Sequence, residues 1–408
     1  MRSFAPRSAE PNLGDTNMTQ KNNHIDRIIL FVVLFLMVAS TVVVYSASSM
    51  WALQKYGASS HLVDRHIIKV LVGIAAMFLA MRIDYHNYKK ISKIALAACV
   101  LLLFITLALG GEVKGAQRWL NIGGFSFQPS EFARFALIFH LSALLASKKE
   151  KAADYKTGFL PLVLWIGVVV VLVMLQPNFS TGVFIFVLGM VMVFIGGAQL
   201  KHIAVSLLAL LPVVIVYMIS AEYRLRRILT FLGKDRNTAT PSRANYQLWQ
   251  GIIGFGNGGW LGVGMGQSKQ RDLFLPESYG DFVFSIVGEE YGFIGTVLFL
   301  GLFLTIFLRG FRIAKNARDD FGRYLAIGIT CSIVMYALGN ALVTLGLFPT
   351  TGLPMPFVSY GGSAIVISSF AIGVLLNISS QTDLHPRLTA VEGADVSELN
   401  EPAVGKVY

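Results

Sequence analysis

The carboxylates of one stretch raise the question of chemistry first. In LPESYGDFVFSIVGEEYG, Leu275 to Gly292, Asp281 stands at the mouth of an apolar run that continues to Leu308, and Glu289 and Glu290 sit inside that run. Charge at the edge of a membrane span, or within it, is costly and usually marks a site. At about 100° per residue, Asp281, Ser285, Gly288, Gly292 and Gly295 fall in one stripe. Small residues let helices approach closely in a membrane, so the stripe predicts that Asp281 faces the interior of a bundle. Glu289 is about 12 Å deeper at ~1.5 Å per residue, and Glu290 lies on the opposite side, which reads as structural. An acid at such a mouth suits proton transfer on an anionic, membrane-held substrate. It equally suits the dipole of the helix it begins, and spacing alone leaves the two open.

Basic residues gather around the same edge. The segment 220–281 holds eight Lys and Arg, Arg243 among them, and its middle, GIIGFGNGGWLGVGMG (Gly251 to Gly266), contains eight glycines. No GK[ST] ends the run and no strand–turn–helix unit surrounds it, so it is neither a P-loop nor a dinucleotide fingerprint. Glycine at this density permits tight turns and close approach of backbone to a ligand or to another segment. NYQLWQGIIGFG, Asn245 to Gly256, reads as a short amphipathic helix lying at the membrane interface, anchored by Tyr246 and Trp249. In GEVKGAQRWLNIGGFSFQPSEFARF, Gly111 to Phe135, Lys114 and Arg118 are four apart and on a helix would share a face. NIGG then reads as a turn. Pro129 and Ser130 suit the start of the next helix, and Glu131 in its first turn is within reach of Arg134, an ion pair that lets the guanidinium enter the bilayer. QPNFSTG, Gln176 to Gly182, sets an amide and hydroxyls at membrane depth, where irregular backbone must be buried or line a wet cavity. FPTTGLPMPFVSYGGSA, Phe348 to Ala364, breaks a further span boundary with three prolines and a glycine pair.

The elements that must position these groups follow from composition. The chain has 408 residues, 54% hydrophobic and 14% charged, with a mean hydropathy of +0.62, whereas a soluble domain carries roughly 25% charge. The fold class this predicts is an all-α polytopic membrane protein. Ten spans are read at 28–46, 66–81, 94–110, 132–147, 159–175, 180–198, 203–219, 282–308, 324–346 and 355–377, most near the ~20 residues that cross a ~30 Å core. With the N-terminus inside, the short inner loops carry 14 Lys/Arg and the short outer loops carry 4, the positive-inside pattern. That asymmetry accounts for the net charge of +11 and excludes a nucleic-acid-binding reading. It also divides the chain into a cytoplasmic tail over 1–24, a membrane domain over 25–380 with a long extracytoplasmic loop at 220–281 between spans 7 and 8, and a cytoplasmic tail over 381–408. All the irregular polar segments then converge on the outer leaflet. The first 24 residues lack a signal-peptide layout, so the first span reads as an uncleaved anchor. Cys99 and Cys331 fall inside spans, which excludes a disulfide framework. The seven histidines are scattered without metal-ligand spacing.

Five ordered motifs, KGAQRW, QPSEFARF, QPNFSTG, LPESYGDFVFSIVGEEYG and PFVSYGGSA, closely resemble those of the SEDS family (shape, elongation, division and sporulation) of bacterial cell-wall polymerases. The resemblance spans Lys114 to Ala364, and ten spans is that family's layout. IVGEEYG and the polar N-terminal extension resemble the division branch more than the elongation branch. Members commonly carry His-Thr-Asp where this chain has Tyr279-Gly280-Asp281, so the hydroxyl and histidine are gone and the Asp remains. The resemblance implies a peptidoglycan glycosyltransferase of the bacterial plasma (inner) membrane, acting at the division septum on lipid II. The growing strand would pass to the 4-hydroxyl of another lipid II, with inversion at the sugar and undecaprenyl diphosphate leaving. It implies Asp281 as the catalytic base and Lys114, Arg118 and Arg243 as the groups that neutralise diphosphate. Gln128, Glu131, Arg134 and Gln176 match family motif positions and would shape the cavity. A divalent cation, Mg or Mn, bridging diphosphate to carboxylate suits this chemistry, although no motif demands it. The implied partners are lipid II, the nascent glycan strand, a class B penicillin-binding protein that cross-links it, and other division proteins. A lipid II flippase and a scaffold that recruits the transpeptidase are the competing classes. Against the first, no repeated half is present and the unusual residues favour one leaflet. Against the second, polar groups are concentrated inside apolar segments.

Overall fold

The structure, a computed structural model, describes residues 25–113, 116–122, 125–148, 154–220, 225, 227, 229, 231, 243–276 and 278–382. The expected tail 1–24 and residues 383–408 of the other tail lie outside the described residues. Each of the ten apolar runs falls on a helix: α1 Arg27–Tyr56, α2 His61–Arg82, α3 His86–Leu109, α4 Pro129–Ser147, α5 Leu160–Leu175, α6 Phe179–Ile195 and α7 Leu200–Ile219, then α9 Val283–Lys315, α10 Asp320–Thr344 and α11 Gly362–Ser380. Between α7 and α9 comes α8, Arg243–Gly258. Eight of these segments are long and apolar enough to cross a bilayer; α6 is shorter, and α2 is not one of the eight. The first turns of α2 carry Asp64, Arg65 and Lys69. The chain is a polytopic helical membrane protein.

Local chemistry sets the helix ends. Asp26 accepts from the N–H groups of Ile28 and Ile29 at 3.1 Å and caps α1, as Ser, Thr, Asp and Asn do at N-caps generally. Asp319 caps α10 through Gly322 N, and Pro129 opens α4. The same caps knit one end of the bundle together. Asp26 also takes Arg309 Nη2 at 2.6 Å and donates its own N–H to Ser379 Oγ. Tyr85 donates its hydroxyl to Asp319 at 2.5 Å and its N–H to Asn377 Oδ1, while Asn377 Nδ2 bonds Met81 O. The start of α1, the α2–α3 corner, the end of α9, the start of α10 and the end of α11 therefore share one end. The irregular segments share the other.

Helices α4, α10 and α11 form the centre, and α7 forms the periphery, with only 6% of its apolar window buried. Close approach of α2 and α11 depends on small residues. A Cβ at Gly373 would collide with Met77 O, and one at Gly73 would press on Ile365 and Ser369.

Three departures from the sequence reading position the site. The first is a small antiparallel sheet between α3 and α4: β1 Gly111–Val113, β2 Ala116–Ile122 and β3 Phe125–Phe127, in that order. Val113 pairs with Ala116 and Ile122 with Phe125, so each connection has two residues. Arg118 is thus on a strand, not a helix, and Lys114 lies outside the described residues. The expected turn at NIGG falls on Gly123 and Gly124, which lie outside the described residues.

The second departure is at Asp281. It precedes α9, in a turn, and α9 itself breaks at Gly292 (φ 67°, ψ −164°). The predicted stripe therefore runs only from Ser285 to Gly288 as continuous helix. The break leaves two carbonyls and two N–H groups of α9 without their i,i+4 partners, a cost that must be met inside the fold. The glycine-rich loop meets it. Val263 N donates to Glu289 O at 2.9 Å and Gly264 N to Glu290 O at 3.1 Å, while Phe293 N donates to Gly259 O and Ile294 N to Trp260 O.

The third departure is α8, which leans along the first turns of α9 and does not lie flat at the interface. Gly251 faces Phe282 and Ser285, Gly254 faces Ser285 and Glu289, and Gly258 faces Gly288 so closely that a Cβ would collide with its carbonyl. The two helices run parallel, with glycines at i, i+3 and i+7 forming the contact. The glycine density thus serves approach to another segment.

Candidate functional site

Depth follows from the knitted basic end. From Arg309 to the break at Gly292, α9 rises about 25 Å at ~1.5 Å per residue, and Glu289, Glu290 and the turn bearing Asp281 lie beyond that break, away from the basic end. Asp281 therefore stands at the end of the bundle opposite the knitted basic end.

Asp281 is half-buried and its backbone is fixed. Asn340, fully buried in α10, donates from one Nδ2 to Asp281 O and to Leu353 O, both at 2.8 Å. One amide thereby ties the end of α10, the turn before α9 and the proline-rich segment before α11. A side chain at Gly352 (φ 121°) would come within 3.4 Å of Asp281 Oδ2, so glycine there keeps that flank of the carboxylate clear. Tyr360 N donates to Tyr279 O at 2.9 Å, and Ser278 Oγ donates to Ala47 O of α1 at 2.8 Å. The turn bearing Asp281 is held from three sides.

The other sequence-selected residues divide. Gln128 reaches this end: its N–H donates to Ser363 Oγ at the start of α11, and its Nε2 to Ser130 Oγ. Glu131 and Arg134 form the predicted pair at 2.8 Å, both almost fully buried. The guanidinium lies 3.6 Å over the Tyr336 ring and 4.6 Å from that of Phe135. Cation–π contact and a hydrogen-bonded partner are what a buried arginine needs. Gln176 is fully buried and donates to Leu103 O at 3.0 Å, linking the end of α5 to α3. Arg118 donates to Gln176 O at 3.3 Å and to Pro177 O, at the carbonyl end of α5, where a cation suits the helix dipole. These bonds give Arg118 a structural use that sequence reasoning missed. Arg243 opens α8, and its side chain lies outside the described residues, as does Lys114.

The two glutamates, about 100° apart on the helix, face different partners. Glu289 accepts from Ser268 Oγ, from the N–H groups of Lys269 and Gln270 at 3.2 Å and from Asn257 Nδ2 at 3.2 Å. Glu290 accepts from Ser46 Oγ of α1, on which Arg271 Nη1 also bears at 3.5 Å. Both are buried and hold the returning loop against the bundle.

Sequence reasoning passed over Asn340 and the ring cluster beside Asp281. The signal for Asn340 was a lone amide inside an apolar span. Tyr279 meets Trp51 at 5.3 Å with the rings tilted and Tyr360 at 5.7 Å edge to face, where the resemblance had marked only a departure from the family pattern. Among the described residues no group of three or more His, Cys, Asp or Glu could hold a metal ion.

The family description "Cell cycle protein", covering FtsW, RodA and SpoVE, matches residues 26–384. The chain is 38% identical over 358 residues to the "Probable peptidoglycan glycosyltransferase FtsW" of Geobacter metallireducens, spanning 87% of this chain and 95% of that one. It is 36% identical to "Stage V sporulation protein E" of Bacillus subtilis, spanning 89% and 99%. A chain solved for a study of "polymerization and crosslinking by a peptidoglycan synthase complex" superposes with a TM-score of 0.71 at 25% identity, covering 87% and 97%. The crystal structure of the Thermus thermophilus rod shape determining protein RodA superposes at 0.64 with 24% identity, covering 88% and 97%. The family match across most of the chain, the relatives aligned nearly end to end and the shared fold lead to one conclusion: the chain belongs to the FtsW/RodA/SpoVE family.

Proposed function

We propose that the chain is a peptidoglycan glycosyltransferase that polymerises lipid II into glycan strands for septal wall synthesis, in the bacterial inner membrane with both termini cytoplasmic. The observation that carries the reading is the seat of Asp281. The Asp281 carboxylate is half-buried at the end of the bundle opposite the basic one, its backbone fixed by the buried Asn340 and its flank toward Gly352 left without a Cβ. Family membership and the names of the relatives point to the same chemistry.

The acceptor 4-hydroxyl loses its proton to the Asp281 carboxylate as its oxygen attacks the anomeric carbon of the lipid-linked strand. The bond from that carbon to the diphosphate oxygen breaks, the diphosphate keeps the electron pair, and the configuration inverts. A positioned base contributes ~10²–10⁴ in rate. The leaving group carries negative charge, which preorganised cations stabilise. Lys114 and Arg243 are the residues proposed for this. Arg118 acts chiefly by seating the sheet on the α5–α6 turn, and Gln128, Glu131, Arg134 and Gln176 shape the surrounding wall. A divalent cation, Mg or Mn, would lean on one carboxylate and on substrate oxygens, a set that suits Mg, which binds through one or two carboxylates plus phosphates. When bound it would supply charge neutralisation at the diphosphate. The partner proposed is a class B penicillin-binding protein, with other division proteins around it, in keeping with a structural neighbour studied in a polymerising and cross-linking complex.

Purified protein incubated with lipid II, with and without the transpeptidase, is expected to yield glycan strands that a muramidase digests. Lipid II crossing vesicle bilayers without strand formation would instead place the chain among transporters.

A further inference from the structure

Lys69 was selected by no sequence motif. It lies on α2, eight residues from His61 and 13 from Arg82 at the basic end, in the half of the helix away from that end and inside the expected span 66–81. An ionisable group at that depth is costly and is by default functional. Its ammonium sits 3.7 Å over the ring of Tyr360, and among the described residues no carboxylate pairs with it. A ring face stabilises a cation without neutralising it, so the charge stays available to an anion. On the same side of α2, His66 is fully buried, engages Ser40 Oγ through Nε2 at 2.9 Å and keeps Nδ1 without a partner among the described residues. Its ring stacks on Tyr360 at 5.9 Å. Tyr360 N in turn bonds Tyr279 O, two residues from Asp281.

Strand extension brings two lipid-linked diphosphates, donor and acceptor, to one carboxylate, and two anions need two basic places. The bases chosen from sequence lie on segments 111–135 and 220–281, whereas Lys69 lies on α2. We propose that Lys69, held over Tyr360 with His66 beside it, is a second anion subsite that takes the diphosphate of a lipid-linked sugar on the α2 side of Asp281. The inference rests on the lipid II reading above, and its test is built to fail separately.

Amine acylation of the purified full chain, read at Lys69 by mass spectrometry, measures occupancy without turnover and without a variant that must fold. Undecaprenyl diphosphate is expected to slow Lys69 acylation by about tenfold, the effect of one charge-assisted contact. Undecaprenol, which lacks the anion, and phosphatidylglycerol, which carries a lone phosphodiester, are expected to leave it unchanged. Equal protection by phosphatidylglycerol would make Lys69 a general headgroup contact, and no protection by the diphosphate would remove the subsite; either result overturns the proposal. In turnover, Lys69→Gln is expected to raise KM for lipid II by about tenfold with little change in kcat, and Lys69→Arg to restore most of it. An unchanged KM in folded Lys69→Gln overturns the proposal with the polymerase reading intact. Protection of Lys69 in wild-type protein that makes no strands would do the reverse.

Discussion

At the residue scale, the two glutamates show how burial and partner count decide a side chain's role. Both oxygens of Glu289 are used, each accepting from two donors, whereas Glu290 accepts from Ser46 through one oxygen and its Oε2 has no partner among the described residues. Replacing one carboxylate oxygen by an amide therefore sets donor against donor at 289 and breaks no close hydrogen bond at Glu290 Oε2. Glu289→Gln is expected to cost about 1–3 kcal/mol and to lower the melting midpoint in detergent, while Glu290→Gln keeps strand synthesis with a smaller loss of stability. Equal midpoints for the two would contradict the contacts described. That these acids point in different directions, about 100° apart, was legible from helical periodicity. The partners were not, because Ser46 and Ser268 are 244 and 21 residues from the glutamates they serve.

At the element scale, the loop 259–264 and the break at Gly292 are one unit, since each supplies the hydrogen-bond partners the other lacks. Gly292→Ala forces a side chain onto φ 67° and against Gly262 N and Trp260, a backbone conformation costing of order 1–3 kcal/mol. Amide exchange is expected to rise together in 259–264 and 289–294. A rise confined to α9 would show that the loop is held by other means. The glycine run announced close approach, yet its target could not be read: a helical wheel assumes unbroken 3.6-residue periodicity, and the break at Gly292 removes that assumption. The sheet at 111–127 escaped for a related reason. Residues four apart share a face in a helix and in a strand alike, so the spacing of Lys114 and Arg118 does not distinguish them.

At the scale of the whole molecule, all ten apolar runs fall on helices because a bilayer admits little else, and the basic ends of six of them are clasped by polar caps. Tyr85 carries part of that clasp. Burial, and then its bond to the Asp319 carboxylate, pushes its phenol well above the ordinary tyrosine range, so the hydroxyl remains a donor. The bond's contribution is fully present below pH about 10 and fades only above it. Tyr85→Phe is expected to destabilise the bundle by about 1–3 kcal/mol, uniformly between pH 6 and 9 on the ~10 tyrosine reference; a melting midpoint that converges with wild type across that range would contradict the assignment. The opposite end holds the proposed site: Asp281 was singled out from sequence, whereas Asn340, a lone amide in an apolar helix, and Lys69, one of several charged residues in the first turns of α2, were not. The central claim is that Asp281 is the base. Asp281→Asn keeps shape and removes basicity, so lipid II binding and assembly with the transpeptidase should persist while strand synthesis falls by ~10²–10⁴. The decisive measurement is strand synthesis and lipid II binding on one preparation of that variant: bound substrate with no strands is the predicted result, and strands at the wild-type rate would contradict it.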